Sequence, residues 1–146
     1  MLIRPCRLSD AEAAAALSTE LGYPTTPEQA HARLEWLLPQ GDHALLAAEV
    51  DGRMVGWLHV HAARTLESEP FAELAGLVVA AAHRGAGIGK TLVEAALGWA
   101  AEHQLATVRV RSNVVRAAAH RFYEARGFQR LKTQAVFARF SKIQRP

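Results

Sequence analysis

The chain has 146 residues, of which 50% are hydrophobic and 21% are charged, and its formal net charge at pH 7 is +3. This composition excludes a disordered chain, and the length predicts one domain over residues 1–146. The basic residues are distributed along the sequence, so no stripe for nucleic-acid binding is expected.

The sequence contains neither a long apolar segment nor a pair of cysteines. Its longest apolar run, Leu74 to Ala82, has nine residues, whereas a membrane-spanning helix needs about 20. Asp10 and Glu12 interrupt any signal-peptide core, and Cys6 is the single cysteine. We therefore expect a cytoplasmic protein with no membrane segment and no internal disulfide.

The first third of the chain predicts a strand and two helices. Leu2 to Cys6 is apolar enough for an opening strand, and Ser9 to Glu12 has the spacing of a capping box before an alanine-rich helix. That helix should end at Gly22. Thr26 to Gln29 repeats the capping pattern with proline at the first helical position, and Pro39 should end this second helix.

A hairpin and a central strand are predicted next. The runs from about His43 to Val50 and from Arg53 to His61 flank Asp51-Gly52, a strong signal for a two-residue hairpin turn. The segment Phe71 to Ala80 is almost continuously apolar, which is typical of a central strand covered on both faces.

The last part of the chain alternates helices and strands. Apolar residues at helical spacing predict a helix to about Glu102, after a glycine-rich turn. Thr107 to Arg111 predicts a strand, Arg116 to Arg126 a helix closed by glycine, and Phe128 to Phe140 a final strand.

The glycine-rich turn, Arg84 to Lys90, is the informative local motif. Glycines 85, 87 and 89 permit left-handed backbone and close approach of a ligand, so that N–H groups at the following helix N-terminus can hold a pyrophosphate. A purely structural turn is the alternative. A P-loop would need glycine at Arg84, and the dinucleotide fingerprint needs G-x-G-x-x-G rather than G-x-G-x-G.

Two segments carry a resemblance to one family. Arg84-Gly85-Ala86-Gly87-Ile88-Gly89 resembles the acetyl-CoA pyrophosphate loop of the GNAT superfamily of N-acetyltransferases, and Ala119 to Phe128 resembles its late helix ending in F-Y-E-x-x-G-F. The order of elements also agrees over nearly the whole chain. The resemblance implies an α/β fold with a mixed, mostly antiparallel central sheet of six to seven strands and about four helices.

The resemblance also implies a cosubstrate, acetyl-CoA, and the residues that bind it. The pyrophosphate is expected on Arg84, Gly85, Ala86, Gly87, Ile88, Gly89 and Lys90. The pantetheine arm is expected to pair with the backbone of Leu77, Val78 and Val79, because the family's central strands splay apart there. Asn113 matches a position that contacts the same arm, although a turn asparagine is an equal alternative.

Two residues match the family's catalytic positions. Glu73 is expected to be the general base, directly or through water. Strand alternation would group it with Ala75, Leu77 and Val79 in a largely apolar setting that raises its pKa; the alternative is a solvated residue. Tyr123 is expected to donate a hydrogen bond to the leaving thiolate, because full proton transfer would be uphill by about 2 kcal/mol; the alternative is an aromatic core residue.

The seven histidines allow a metal site, which is the less favoured hypothesis. His59 and His61 share one face of a strand, but no cysteine or matched carboxylate lies nearby in sequence. We expect no metal, and place these histidines with His43 along the acceptor cleft. Trp36 and Trp57 are bulky enough to wall that cleft, with core packing as the alternative.

The function implied by the resemblance is an N-acetyltransferase that moves the acetyl group of acetyl-CoA to a primary amine in a ternary complex. The segment Ser112 to Phe128 is similar to aminoalkylphosphonate and aminoglycoside-type enzymes, which favours a small-molecule amine. The alternatives are a protein amine as acceptor and a noncatalytic acyl-CoA-binding or regulatory module. The resemblance also allows a homodimer, and predicts neither a nucleic-acid nor a membrane partner.

Overall fold

A computed structural model describes residues 1–112 and 115–141. The chain divides into two compact units, Met1–Arg111 and Ser112–Pro146. A single domain over 1–146 therefore stays a prediction. The described elements, in chain order, are β1 (Leu2–Pro5), α1 (Ala11–Glu20), α2 (Pro27–Leu37), β2 (His43–Val50), β3 (Arg53–Thr65), β4 (Ser68–Val79), α3 (Ile88–Glu102), β5 (Val108–Val110) and α4 (Ala117–Ala125).

The first unit is built on one mixed sheet whose strand order follows the chain from β1 to β5. The first three pairings are antiparallel, and β4 pairs with β5 in parallel. The predicted α/β class with a mostly antiparallel sheet is confirmed. The described residues contain five strands instead of the predicted six to seven.

The entry to α1 is organised differently from the prediction. A 3-10 turn, Leu8–Asp10, precedes the helix, and the Asp10 carboxylate accepts the Arg7 backbone N–H at 2.7 Å. The Arg4 guanidinium donates two further hydrogen bonds to Asp10, both at 2.8 Å, and holds the pKa of that carboxyl below its usual range. The predicted capping box at Ser9 is wrong, because Asp10 is the N-cap of α1 and its buried carboxylate bonds to Arg4 and to the Arg7 N–H rather than to the helix.

The two helices that follow β1 cover one face of the sheet. The predicted capping box of α2 is confirmed, since Thr26 Oγ1 accepts the Gln29 N–H at 3.1 Å and the Gln29 side chain accepts the Thr26 N–H at 3.1 Å. Small apolar side chains let the helices approach the sheet closely. This core contains Cys6, Ala11, Ala15, Ala30, Leu34 and Ala47.

Helix α3 packs on the opposite face. Ala47 lies opposite Trp57, so the preceding residue of β3, Gly56, faces the other way. A Cβ on Gly56 would lie 2.9 Å from the Val78 carbonyl oxygen and 3.4 Å from Leu92 of α3. Glycine at this position therefore allows α3 to lie close to the sheet.

The predicted hairpin between β2 and β3 is confirmed. Asp51 has φ 51° and Gly52 has φ 76°, as a type I′ turn requires at both central residues. The next hairpin is longer than expected, since β3 continues past His61 to Thr65 and pairs there with Ser68. These extra residues bring the start of β4 alongside the end of β3.

The second unit contains α4, which ends as predicted at a glycine, Gly127, with φ 92°. The predicted strand over Phe128 to Phe140 is wrong, because residues 128–141 form no ladder. Apolar content alone does not make a strand, which also needs a partner for its backbone N–H and C=O groups. Several apolar side chains there are exposed, including Leu131, Val136 and Phe137. In the described ranges no helix has both the length and the apolar character to cross a membrane.

Candidate active site

The glycine-rich turn links the end of β4 to α3. A 3-10 turn, Ala81–His83, is held by a hydrogen bond of 2.7 Å from the Ala81 N–H to the Glu20 carboxylate. Gly85 and Gly87 then adopt φ values of 82° and 81°, in the left-handed region that the sequence predicted. Gly87 is the N-cap of α3, so the turn delivers the chain directly to the helix N-terminus.

The turn leaves room and positive potential for an anion. A Cβ on Gly85 or Gly87 would meet no heavy atom within 4 Å, so the space above the backbone is open. The first turn of α3 carries no acidic residue that would satisfy its N–H groups. Arg84 and Lys90 are exposed on either side. This combination of amide donors, helix dipole and cationic side chains suits a phosphate group.

The C-terminal half of β4 has a free edge beside this turn. The β5 pairing covers Ala72, Glu73 and Leu74, and among the described residues no strand pairs with this edge of β4 beyond Leu74. The backbone groups of 75–79 that point away from β3 are thus open to an extended ligand. This is where the sequence placed Leu77, Val78 and Val79 against the pantetheine arm.

A β-bulge lies between that edge and Glu73. His59 pairs with Gly76 and Val60 pairs with Leu74, so Ala75 has no partner across the ladder. The extra residue reverses the alternation of side chains along β4. Beyond the bulge, the face of Glu73 continues with Gly76 and Val78. The predicted grouping of Glu73 with Ala75, Leu77 and Val79 is therefore wrong.

The surroundings of Glu73 are polar rather than apolar. Its Oε2 lies 3.1 Å from His61 Nε2, and its Oε1 lies 3.1 Å from Arg111 Nε. The carboxylate is largely buried, with 16% of its side-chain surface exposed, whereas the Arg111 side chain is 77% exposed. His61 lies opposite Glu73 on β3, and Arg111 directly follows β5. The expected apolar setting is wrong because alternation along one strand says nothing about what its neighbours carry.

Three histidines form a stack next to this carboxylate. The ring centroids of His43 and His61 are 5.0 Å apart with an interplanar angle of 16°, and His43 Nδ1 lies 2.8 Å from His59 Nε2. Burial, reinforced by His43 and His61, lowers the pKa of His59 to about 4, and burial together with His61 lowers the pKa of His43. His43 and His59 are therefore neutral at neutral pH.

The stack makes the protein sensitive to acid. An unfolded chain takes up a proton on His59 near pH 6.5, whereas the folded chain does so only near pH 4. The contribution of His59 to the free energy of unfolding is thus complete above pH 6.5 and falls, by at most about 3 kcal/mol, as the pH drops toward 4. We expect His59→Gln to reduce the change of the urea-unfolding midpoint with pH between pH 4.5 and 7.5. The control is His31→Gln, at an exposed position of α2. If the midpoint changes equally with pH in both variants, His59 is not the source of the acid sensitivity.

The two tryptophans Trp36 and Trp57 differ in their exposure to solvent. Trp36 is 63% exposed and meets the His43 ring edge-on, with centroids 6.1 Å apart. Trp57 lies against Gly76, where a Cβ would be 2.7 Å from the indole. Its Nε1 is buried and, in the described part of the chain, lacks a hydrogen-bond partner. Across that same part, no three His, Cys, Asp or Glu side chains are arranged to hold a metal ion.

Tyr123 lies on α4 in the second unit. It is half-buried, and its ring meets Phe122 and Phe128 edge-on at centroid distances of 5.2 and 5.6 Å. Burial raises the pKa of Tyr123, so its hydroxyl is protonated at neutral pH and able to donate. Asn113 lies outside the described residues, and its contact with the cofactor stays a prediction.

Two arginines of the site were not anticipated from the sequence. Arg109 is the partner of Glu73 in the parallel ladder, and Arg111 bonds to Glu73 directly. The signal was present, since residues 109 and 111 share one face of the predicted strand. Its significance depends on the β4–β5 register, which the sequence does not contain.

Residues 11–128 match the model of the Acetyltransferase (GNAT) family. The chain belongs to this family. Its members use acetyl-CoA as the acetyl donor, which agrees with an open glycine-rich turn at the end of β4 that has room for a phosphate group. The resemblance that rested on the two sequence segments is confirmed.

Individual relatives of this GNAT protein carry different names. N-acetylaspartate synthetase from Homo sapiens is 36% identical over 84 residues, which are 58% of this chain and 27% of that protein. The match thus spans about a quarter of the curated relative. An aminoglycoside 6'-N-acetyltransferase from Acinetobacter haemolyticus has a TM-score of 0.83 at 19% identity, over 97% of this chain and all of the other. An aminoglycoside N-acetyltransferase in complex with CoA has a TM-score of 0.81 at 20% identity, over 96% and 99% of the two chains. At these identities the two structures establish the shared fold.

Proposed function

We propose that this GNAT protein transfers the acetyl group of acetyl-CoA to a primary amine of a small molecule. The observation that supports this most is the free edge of β4 running into the open turn at Gly85 and Gly87. An extended thiol arm beside β4 would end in a pyrophosphate at the N-terminus of α3. Both halves of a CoA molecule then have complementary backbone groups.

The distribution of charge also favours an anionic cosubstrate. Residues 112–146 carry eight of the 17 Lys and Arg residues and one of the 14 Asp and Glu residues, which gives that segment a net charge of +7. The basic residues are therefore concentrated in this segment, and the expected even distribution along the sequence is wrong. A positive field of this kind raises the association rate of anionic ligands such as acetyl-CoA.

The proposed reaction is a direct attack in a ternary complex. The amine nitrogen forms a bond to the thioester carbonyl carbon, the carbon–sulfur bond breaks, and CoA leaves as a thiolate. Glu73 takes the proton that the amine must lose, directly or through water, since an alkyl amine with a pKa of about 10.4 is almost fully protonated at pH 7. Tyr123 donates a hydrogen bond to the sulfur as negative charge develops. The nitrogen loses its second proton after the attack, and this proton neutralises the thiolate to give the free thiol of CoA.

The acceptor is proposed at the level of a small-molecule amine. The relatives' names point to two such classes, aminoglycosides and aspartate. A noncatalytic acyl-CoA-binding module is the competing function. Glu73 argues against it. Its carboxylate is largely buried between His61 and Arg111, near the free edge of β4. A module that only binds acetyl-CoA does not need such a group.

A mixed panel of primary amines tests the proposal. We expect the protein to release free thiol from acetyl-CoA only when an amine is present, with a rate that rises with pH as more amine is neutral. Thiol release and the acetylated amine are measured in parallel, which separates transfer from hydrolysis. Binding of acetyl-CoA with no amine-dependent thiol release at any pH would favour the noncatalytic module.

A further inference from the structure

Besides Arg111, a second cationic side chain, that of Arg109, lies on the same face of the sheet as Glu73. Phe71 and Glu73 alternate along β4, and the Arg109 guanidinium lies over the Phe71 ring at 4.1 Å from its centroid. The Arg109 Nε–H is buried and finds no hydrogen-bond partner among the described residues. A buried donor without a partner is unfavourable, so this position favours a ligand that accepts a hydrogen bond.

The ion pair between Arg111 and Glu73 leaves excess positive charge at the site. Both oxygens of Glu73 are engaged, one by His61 and the other by Arg111. Within the described ranges, no other carboxylate pairs with Arg109 or Arg111, so two guanidinium groups face one carboxylate. The neighbouring His43 and His59 add no charge at neutral pH.

A ligand with both an amine and a carboxylate complements this arrangement. Guanidinium groups bind carboxylates through paired N–H donors in a fixed plane. The amine would meet the Glu73 carboxylate, one strand away from the arginines. An acceptor with several positive charges and no carboxylate would meet one uncompensated guanidinium group and offer it no partner.

We propose that the acceptor of this enzyme is an amine that also bears a carboxylate, of the amino-acid class, and that Arg109 and Arg111 bind that carboxylate. This inference rests on the proposed acetyl transfer and adds the substrate class. It makes the two arginines specificity-determining residues. It also predicts that aminoglycosides are poor acceptors despite the shared fold.

Matched acceptor pairs test the inference. L-aspartate, L-glutamate and β-alanine are each compared with the compound in which every carboxylate is replaced by a carboxamide, and kcat/KM is measured by thiol release. We expect each acid to exceed its amide by at least about tenfold, in line with charge-assisted recognition. Arg111→Gln and Arg109→Gln should each reduce this acid-to-amide ratio toward one.

The ratio separates recognition from structural damage. Loss of Arg111 also removes an ion pair with Glu73, which would slow acids and amides alike and leave the ratio unchanged. The exposed Arg53 at the far end of β3, changed to glutamine, should alter neither. Equal kcat/KM for acids and amides in the wild-type protein would overturn the inference and leave acetyl transfer standing. No turnover with any amine would overturn the proposed function as well.

Discussion

Glu73→Gln should lower kcat/KM at pH 7 by about a hundredfold or more, the usual contribution of a positioned general base. Glutamine keeps the size of the side chain and can still accept a hydrogen bond from His61, but it cannot take a proton. The affinity for acetyl-CoA should stay unchanged, because the turn that would hold the pyrophosphate does not involve Glu73. The measurement is steady-state thiol release between pH 6.5 and 10 together with calorimetric binding of acetyl-CoA.

The pH dependence distinguishes a base from a residue that only positions its neighbours. As the pH approaches the amine pKa of about 10.4, the fraction of neutral amine rises and the need for a base falls. The deficit of Glu73→Gln should shrink accordingly. Glu69→Gln, an exposed carboxylate on the same strand, should match the wild-type protein throughout. A deficit that is constant over this range would mean that Glu73 does not act as the base.

Local signals predicted the elements of the first unit well. The Asp51-Gly52 turn and the Thr26 capping box depend on neighbouring residues and on backbone preferences, so the sequence contains them fully. The left-handed glycines before α3 belong to the same class. The capping of α1 was mispredicted because Asp10 is fixed by Arg4, which comes from β1 rather than from the helix.

Features that depend on pairing between strands could not be predicted. The bulge at Ala75 exists only in the register between β3 and β4, and it reverses which residues share the face of Glu73. His61 reaches Glu73 from β3, and Arg111 does so from the position that follows β5. The role of Glu73 as the base stays a prediction, whereas its polar surroundings could be seen only in the paired strands.

Within the segment 128–141, the sequence predicted a strand that the structure does not contain. Its apolar residues fit a strand by composition, yet the described residues of the second unit offer no ladder partner. Periodicity reports which side chains favour burial and not whether a backbone partner exists. A family pattern therefore predicted the sheet class correctly and overestimated its number of strands.

Gly87→Val should weaken acetyl-CoA binding by about tenfold to a hundredfold. Gly87 has φ 81°, and a β-branched residue held there is strained by about 1–3 kcal/mol. Relief of that strain would turn the N-cap amides of α3 away from the ligand. The added side chain would also enter the open space above the turn. Calorimetry gives the affinity, and far-UV circular dichroism gives the helix content.

The control for this variant lies on the same helix. A Cβ on Gly98 of α3 would meet nothing within 4 Å, so Gly98→Ala should leave affinity unchanged and stabilise the helix by up to about 1 kcal/mol. A donor without a pyrophosphate, S-acetylpantetheine, separates the phosphate contact from general damage. If the turn acts by holding the pyrophosphate, Gly87→Val should lose much of its turnover with acetyl-CoA and little with S-acetylpantetheine. Equal losses with both donors would show that the strain at Gly87 acts through the fold, because only the longer donor reaches the N-terminus of α3.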